Sequence, residues 1–299
     1  MEKILLWKNR PEKPTPAGGP SITCFLHEEP LADGAPRPAM LVVPGGGYHC
    51  VCEPTEGTPI ARYFMSLGFN CFVLDYRVWP DGVFPNCVAD AARAVKLIRA
   101  NAERFGIDPH RVAAVGFSAG GHLVACLGTG IVDEVDAADG DAADAQPARL
   151  DGMVLCYPVT SFRKMNGHLE SGVGFLGDRL EELAEQYNPA NRIDEKTPPT
   201  FLWHTMADQV VPVEGSIAMM HALAEHHATF SFHLFPYGDH GMLLARRTDA
   251  EPWPEMATGF LQAAWKKRAA APEEFRRYYT NAAQSQLEIE LGLRVEKLS

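Results

Sequence analysis

The chain has 299 residues, of which 46% are hydrophobic and 22% are charged, and this length accommodates one large α/β domain with a buried core. Its formal net charge of −11 argues against nucleic acid and anionic membrane surfaces as partners. No apolar run approaches the roughly 20 residues that a membrane-spanning helix needs, and residues 1–10 lack a signal-peptide pattern, so we expect a cytoplasmic protein.

Strand and helix patterns alternate along the chain. Residues 1–38 contain many prolines and glycines and predict a leading antiparallel hairpin that includes 21–26. The later patterns predict strands at 39–43, 70–76, 111–117, 153–157, 200–205 and 229–235, and helices at 58–67, 86–105, 213–226 and 256–268, with one more helix directly after residue 117. This alternation predicts a mostly parallel sheet that is covered by helices on both faces.

Three segments depart from this alternation. Residues 131–151 are rich in alanine and aspartate, and we interpret them as a solvated acidic loop rather than a metal or partner site. Residues 161–198 form a longer excursion between two strands and are a candidate cap insertion. The third segment is the apolar tail 271–299. We assign 1–270 to a single domain, and we expect the tail to pack on that domain or on a second subunit of a homo-oligomer.

The cysteines give no sign of a metal site. Their number is odd, at seven, and they are spread over apparent core elements, which favours reduced, buried thiols. Cys50 and Cys52 form only a C-x-C pair, without a second Cys/His pair at the spacing of a zinc finger. We therefore predict no structural metal.

The sequence Gly-Phe-Ser-Ala-Gly at 116–120 lies between a predicted strand and a predicted helix. At such a sharp turn the serine hydroxyl projects from the sheet edge, and the residue after the serine offers its backbone N–H to an oxyanion. The alternative is a tight glycine turn with an incidental serine. The strand-before, helix-after context favours Ser118 as a nucleophile.

A serine hydroxyl is a weak nucleophile unless a base lies beside it. His240 comes after the last predicted strand and is the predicted base, and Asp208 comes after the strand before it and is the predicted acid. Asp239 competes for the acid role, but it adjoins the base in sequence and would struggle to reach the far side of the imidazole. Of the other histidines, we expect His122 to be packed behind the nucleophile, and His204 is a candidate to contact Asp208.

A run of three glycines comes after the predicted strand at 39–43. Consecutive glycines let several backbone N–H groups point into one small volume, so Gly46 and Gly47, with Ala119, are the predicted donors of an oxyanion hole. A plain turn is one alternative. A phosphate loop is another, but it would require Lys-Ser/Thr at the start of the next helix, and that helix has none.

Three aromatic side chains near this run are candidate substrate-binding residues. Tyr48, His49 and Trp79 are interpreted either as rings that stack on a sugar face or as core aromatics. The sequence does not choose between these interpretations.

Taken together, these motifs resemble those of the α/β-hydrolase superfamily, esterase/lipase type, and more narrowly its acetylesterase and acetylxylan-esterase-like branch. They occur in the family's order between about residues 40 and 245, and the segments that carry the resemblance are 44–48, 56–57, 74–77, 116–123 and 238–241. Pro44 departs from the wider lipase pattern, in which histidine often precedes the glycines. The acidic segment and the tail match no family motif.

The resemblance implies an α/β-hydrolase fold and a serine esterase with Ser118, Asp208 and His240 as its triad. It also implies a small-molecule substrate with a short acyl group, such as an acetyl ester of a sugar or a small alcohol, and no metal or organic cofactor.

Other functions stay open. An amidase such as a formamidase uses the same residues. A prolyl-type peptidase usually carries an N-terminal propeller domain, for which too few residues precede Ser118. A non-catalytic binding protein with this fold is expected to have lost a triad member, and all three are present.

Overall fold

The computed structural model of the chain describes residues 2–9, 19–29 and 31–270. Its strands are β1 (Glu2–Leu5), β2 (Ser21–Phe25), β3 (Arg37–Val43), β4 (Asn70–Asp75), β5 (Ile107–Phe117), β6 (Gly152–Cys156), β7 (Thr200–Thr205) and β8 (Phe230–Phe235). Its α-helices are α1 (Glu53–Glu56), α2 (Thr58–Ser66), α3 (Asn86–Ala100), α4 (Ala119–Gly128), α5 (Leu169–Leu176), α6 (Leu180–Leu183), α7 (Glu214–Glu225) and α8 (Trp253–Ala270). The predicted packing of the tail 271–299 lies outside the described residues.

The strands form one sheet in the order β1-β2-β4-β3-β5-β6-β7-β8. β1 and β2 pair antiparallel at one edge, and β2 is antiparallel to β4, whereas β4, β3 and β5 to β8 are parallel. This topology confirms the predicted mostly parallel sheet and the leading antiparallel pair. The carboxyl ends of the parallel strands lie at one edge of the sheet, where ligand sites of such sheets form.

Apolar residues cover both faces of this sheet, because successive side chains of a strand point to opposite faces. In β3, Leu41 and Val43 belong to one core layer, and Met40 and Val42 belong to the other. The first layer contains residues of α3 and α4, and the second contains residues of α2 and α8. Helices therefore lie on both faces, as the alternation predicts.

The helices differ from the sequence prediction at several boundaries, and α1, α5 and α6 were not predicted as helices. The helix predicted at 86–105 ends at Ala100, where the Asn101 side chain donates a hydrogen bond to the carbonyl of Leu97 (2.8 Å). Residues 101–106 form turns, and Gly106 adopts a φ of +60° that favours glycine. The single-turn helix α1 was not predicted, because one turn is too short to show a 3.6-residue period.

The interpretation of 131–151 as a solvated loop is right only in part, because Asp133, Glu134 and Asp136 are exposed whereas other carboxylates of the segment pair with a buried cation. Asp139 in this segment is only 2% exposed. The segment lies over the fully buried guanidinium of Arg93, from α3, which pairs with Asp141 at 2.5 Å and with Asp144 at 2.9 Å. Burying an arginine requires such neutralising partners, and Arg93 is too far away in the sequence for local composition to reveal it.

The cysteines of the described region agree in part with the sequence expectations. Five of the seven cysteines are buried and reduced, whereas Cys50 is exposed and Cys52 is half-buried.

Among the helices between residues 2 and 270, none combines the length and the apolar character needed to cross a membrane.

Candidate active site

Ser118 lies at the turn between β5 and α4. Its backbone adopts φ 53° and ψ −120°, a combination that L-residues rarely adopt and that is typical of strained functional turns. The flanking glycines are required by close packing: a Cβ on Gly116 would lie 2.3 Å from the carbonyl oxygen of Gly120, and a Cβ on Gly120 would lie 2.3 Å from that of Val43. The close packing explains the glycines, and the strained backbone of Ser118 itself favours the functional interpretation of the motif over an incidental serine.

The structure brings Ser118, His240 and Asp208 into one hydrogen-bonded chain. The Oγ of Ser118 lies 2.9 Å from Nε2 of His240, and Nδ1 of His240 lies 2.7 Å from Oδ2 of Asp208. The Asp208 side chain is 1% exposed and the His240 side chain 17% exposed, so the histidine in the middle of the chain is more accessible to solvent than the acid. Asp239, the rival acid, is exposed.

The carboxylate of Asp208 accepts hydrogen bonds on both oxygens. Oδ1 accepts from the amides of Val210 and Val211 (2.8 and 2.9 Å), and Oδ2 lies against His204 and His240. Burial by itself raises the pKa of Asp208, but the hydrogen bonds from the two histidines and from Val211 outweigh it and hold the pKa well below its usual range. Asp208 is therefore a carboxylate at neutral pH.

His204 supports that carboxylate from the core, as its position in the strand indicated. Its Nε2 lies 3.1 Å from Oδ2 of Asp208 and 3.2 Å from the carbonyl of Val211, and its Nδ1 lies 2.8 Å from the hydroxyl of Ser216. Because a carboxylate and a carbonyl only accept hydrogen bonds, Nε2 carries the proton and Nδ1 accepts from Ser216. This arrangement fixes the orientation of Asp208.

The glycine run after β3 lies directly against the Ser118 turn. A Cβ on Gly45 would lie 3.1 Å from Cβ of Ser118. Gly46 and Gly47 both have positive φ, at 125° and 64°, which turns the chain beside the serine. Within the described residues, the amides of Gly46, Gly47 and Ala119 donate no hydrogen bond, so they can bind an oxyanion.

Of the three candidate aromatic residues, Tyr48 is a core residue. It is fully buried, and its hydroxyl lies 2.7 Å from Nδ1 of His122. Burial lowers the pKa of His122 to about 4, and Nε2 of this histidine lies 3.1 Å from the carbonyl of Tyr187, so the neutral ring donates to that carbonyl and accepts from Tyr48. His122 is thus packed behind the nucleophile, as expected.

His49 and Trp79 face outward instead. Trp79 is 48% exposed, His49 is exposed, and their ring centroids are 5.8 Å apart. The Nε2 of His49 lies 3.3 Å from the carbonyl of Glu170, at the start of α5. Part of the candidate cap at 161–198 therefore lies beside the glycine run and the two exposed rings.

Sequence reasoning gave no role to Glu56 and Tyr157, which the structure places behind the site. Glu56 is 6% exposed and accepts a hydrogen bond from the amide of Gly45 (2.7 Å). The Tyr157 ring lies 5.0 Å from the His240 ring, between centroids. The family motif at 56–57 pointed to the first of these residues, but nothing in the sequence pointed to the second.

Comparisons with known proteins agree with this architecture. The BD-FAE family model matches residues 28–223. The chain is 35% identical over 238 residues to endo-1,4-beta-xylanase B of Butyrivibrio fibrisolvens (78% of this chain, 36% of that protein) and 30% identical over 264 residues to an acetylxylan esterase of Xylanibacter ruminicola (86% and 50%). The chain thus spans half or less of the length of these two curated relatives.

A solved structure matches over nearly all of its length. The acetyl ester-xyloside bifunctional hydrolase of Caldicellulosiruptor lactoaceticus superposes with a TM-score of 0.79 at 35% identity, over 88% of this chain and 96% of that chain. An α/β-hydrolase from a deep-sea metagenome superposes with a TM-score of 0.68 at 27% identity, over 88% and 96%. These likenesses confirm the expected fold.

Proposed function

This chain belongs to the BD-FAE family of α/β-hydrolases, and from that premise we propose that it is a serine carboxylic ester hydrolase. One observation carries the proposal: the unbroken chain of contacts from Ser118 through His240 to the buried Asp208 lies beside the glycine run, with its backbone amides. A nucleophile, a base, an orienting carboxylate and oxyanion donors are the parts that acyl transfer requires.

Acylation begins at the Ser118 hydroxyl. His240 takes its proton on Nε2 as Oγ attacks the ester carbonyl, and Asp208 stabilises the imidazolium through Nδ1–H. The amides of Gly46, Gly47 and Ala119 bind the negative oxygen of the tetrahedral intermediate. His240 then donates its proton to the leaving alcohol, which leaves an acyl ester on Ser118.

Deacylation repeats these steps with water as the nucleophile. His240 removes a proton from water, the resulting hydroxide attacks the acyl carbonyl, and the same amides bind the second oxyanion. Collapse of this intermediate returns the proton to Ser118 and releases the acid. Losing one oxyanion donor typically costs about 3 kcal/mol of transition-state stabilisation, so the glycine run contributes on the scale of the triad.

We further propose that the acyl group is short, with acetyl esters of sugars as the favoured class. Relatives named as an acetylxylan esterase and an acetyl ester-xyloside hydrolase support this class. The exposed rings of His49 and Trp79 beside the glycine run offer apolar faces of the kind on which a sugar ring packs. The carbonyl carbon would lie at Ser118 and the sugar toward these rings.

An acyl-chain series tests this proposal. Nitrophenyl esters of increasing acyl length are assayed beside acetylated xylo-oligosaccharides and matched nitroanilides. We expect kcat/KM to fall steeply beyond short acyl chains, acetate release from the oligosaccharides, and slower cleavage of the anilides. A preference for long chains would overturn the acetyl-ester proposal alone, and faster cleavage of anilides than of esters would overturn the esterase in favour of an amidase.

A further inference from the structure

Two loops flank Ser118, and a pair of buried side chains joins them behind the serine. Glu56 Oε2 accepts from the amide of Gly45 (2.7 Å), in the loop of the oxyanion donors, and Glu56 Oε1 accepts from the hydroxyl of Tyr157 (3.2 Å). The Tyr157 oxygen in turn accepts from the amide of Leu243 (3.1 Å), three residues after His240.

We propose that Glu56 is a positioning residue for the reaction proposed above: its carboxylate holds the oxyanion loop and, through Tyr157, the histidine loop at a fixed distance from Ser118. The inference rests on the proposed function, because it assigns Glu56 a role only in that acyl transfer.

Burial raises the pKa of Glu56 above its usual value, but the donors around Glu56 favour the ionised carboxylate. The Gly45 amide can only donate, and Tyr157 uses its oxygen to accept from Leu243, which leaves its proton for Glu56. Each carboxylate oxygen therefore faces a donor. A glutamine has one oxygen and one NH₂ group, so it would satisfy one donor and turn its own hydrogens toward the other.

The hydrogen bond from Gly45 to Glu56 can affect the oxyanion donors because of where Gly45 lies. A Cβ on Gly45 would lie 3.0 Å from Glu56 Oε2 and 3.1 Å from Cβ of Ser118, so the carboxylate and the serine both lie against Gly45. Gly45 immediately precedes Gly46 and Gly47, so a shift at Gly45 moves the donors themselves. A displacement of about 1 Å in a reacting geometry can lower a rate by about 100-fold.

At the histidine loop, Tyr157 packs against the base. Its ring packs edge-on against His240, with centroids 5.0 Å apart at an angle of 70°. Tyr157 lies at the end of β6 with φ 38°, and its amide donates to the carbonyl of Trp203 (2.8 Å). The ring therefore sits on a fixed backbone, and its hydroxyl ties the loop after His240 to that backbone.

The test compares Glu56→Gln with Glu53→Gln, a matched charge removal in the same helix α1. The Glu53 carboxylate accepts hydrogen bonds from Thr58 rather than from the oxyanion loop. Active sites are titrated with an organophosphonate, and kcat and KM for nitrophenyl acetate are given per titrated site. We expect Glu56→Gln to lower kcat by about 10- to 100-fold with KM within about threefold of wild type, and Glu53→Gln to retain wild-type kcat.

A purely structural role would change the result in a recognisable way. Loss of folded protein would lower the number of titrated sites and leave kcat per site unchanged, and that outcome would overturn the inference. If Glu56→Gln does not accumulate as folded protein, Tyr157→Phe tests the positioning role in its place. This substitution deletes only the hydroxyl that joins the two loops. We expect kcat per site to fall about 5- to 10-fold in that variant, and a value within twofold of wild type would overturn the inference.

Ser118→Ala separates this inference from the function on which it rests. Full activity in Ser118→Ala would reject the serine mechanism itself. An inactive Ser118→Ala combined with unchanged kcat per site in Glu56→Gln would reject only the positioning role.

Discussion

Two histidines share one carboxylate oxygen in this protein. His240 and His204 both lie against Oδ2 of Asp208, at 2.7 and 3.1 Å, while two amides occupy Oδ1. The carboxylate therefore has no freedom to rotate, and its direction fixes the tautomer of His240. The lowered pKa of Asp208 means that its ionisation stabilises the fold above its unfolded pKa, and that this contribution is lost as the pH falls through the lower folded pKa.

Replacing Asp208 by asparagine removes the charge and keeps the size. The NH₂ group of Asn cannot accept a hydrogen bond, so His240 would turn or change tautomer, and Nε2 could no longer accept the proton of Ser118. We expect kcat for nitrophenyl acetate to fall by about 10⁴-fold, the size of the loss on the equivalent change in the serine-protease triad.

Asp239→Asn is the matched control, since Asp239 is exposed and adjoins His240 in sequence. We expect it to keep kcat within about threefold of wild type. A larger loss in Asp239→Asn than in Asp208→Asn would contradict the assignment of the acid.

At the residue scale, chain order made the triad predictable, whereas side-chain direction could not be predicted. Ser118, Asp208 and His240 each come after a strand, so parallel strands bring them to one edge. The role of Tyr48 depended on where its ring points, and the ring is fully buried in the core. Glu56 and Tyr157 are separated by about a hundred residues, and no local pattern links their contact to the site.

Among the secondary-structure elements, α4 and α5 meet around a neutral histidine. His122 of α4 contacts Phe175 of α5, with ring centroids 4.7 Å apart, and hydrogen bonds to Tyr48 below the glycine run. Burial lowers the pKa of His122 from 6.5 to about 4. Protonation of this ring would place a charge in an apolar layer, so acid weakens the packing directly behind Ser118.

This shift predicts a pH-dependent stability. The unfolded chain binds a proton at His122 below about pH 6.5, and the folded chain does so only below about pH 4, so stability is full above pH 6.5 and falls as the pH drops toward 4. Over that window His122 should lower the free energy of unfolding by about 3 kcal/mol.

Urea denaturation at pH 7, 5.5 and 4 measures this contribution as the difference between wild type and His122→Gln, which keeps an acceptor for Tyr48. Subtracting the variant removes the effect of other titrating groups. We expect the difference in the free energy of unfolding between the two proteins to become smaller as the pH falls. A difference that is constant from pH 7 to pH 4 would show that His122 does not titrate with a lowered pKa.

The acidic segment gives a second prediction at this scale. Arg93 is buried beneath 131–151, its guanidinium faces three carboxylates, and Nε donates to the carbonyl of Leu6 (3.0 Å). Arg93→Met would leave the buried Asp139 without its cation, and removing one partner of a buried ion pair costs about 3–5 kcal/mol. We expect a loss of that size in urea denaturation, with kcat per folded molecule unchanged.

Arg163→Met is the control for the variant Arg93→Met. Arg163 pairs with Glu185 in an exposed ion pair, and such pairs contribute little to stability. We expect its denaturation midpoint to stay near that of wild type. Equal destabilisation by the two substitutions would contradict the view that 131–151 is a charge-neutralising cover.

In the whole molecule, the loops after β3, β5, β7 and β8 lie at one edge of the sheet. The alternating pattern of the sequence was sufficient to predict this convergence, because parallel strands place their carboxyl ends together. It was not sufficient to predict how 161–198 packs. A Cβ on Gly174, in α5, would lie 2.7 Å from the carbonyl of Gly47, a contact that depends on a glycine in an otherwise ordinary helix.

The proposed mechanism depends on Ser118, and its most direct test is the turnover of Ser118→Ala on nitrophenyl acetate, measured beside wild type at equal folded concentration. Alanine removes the nucleophilic oxygen and leaves the base, the acid and the oxyanion donors in place. We predict that kcat falls by about 10⁴- to 10⁶-fold, as expected when a triad nucleophile is lost. Turnover within tenfold of wild type would contradict the proposed acyl-enzyme mechanism.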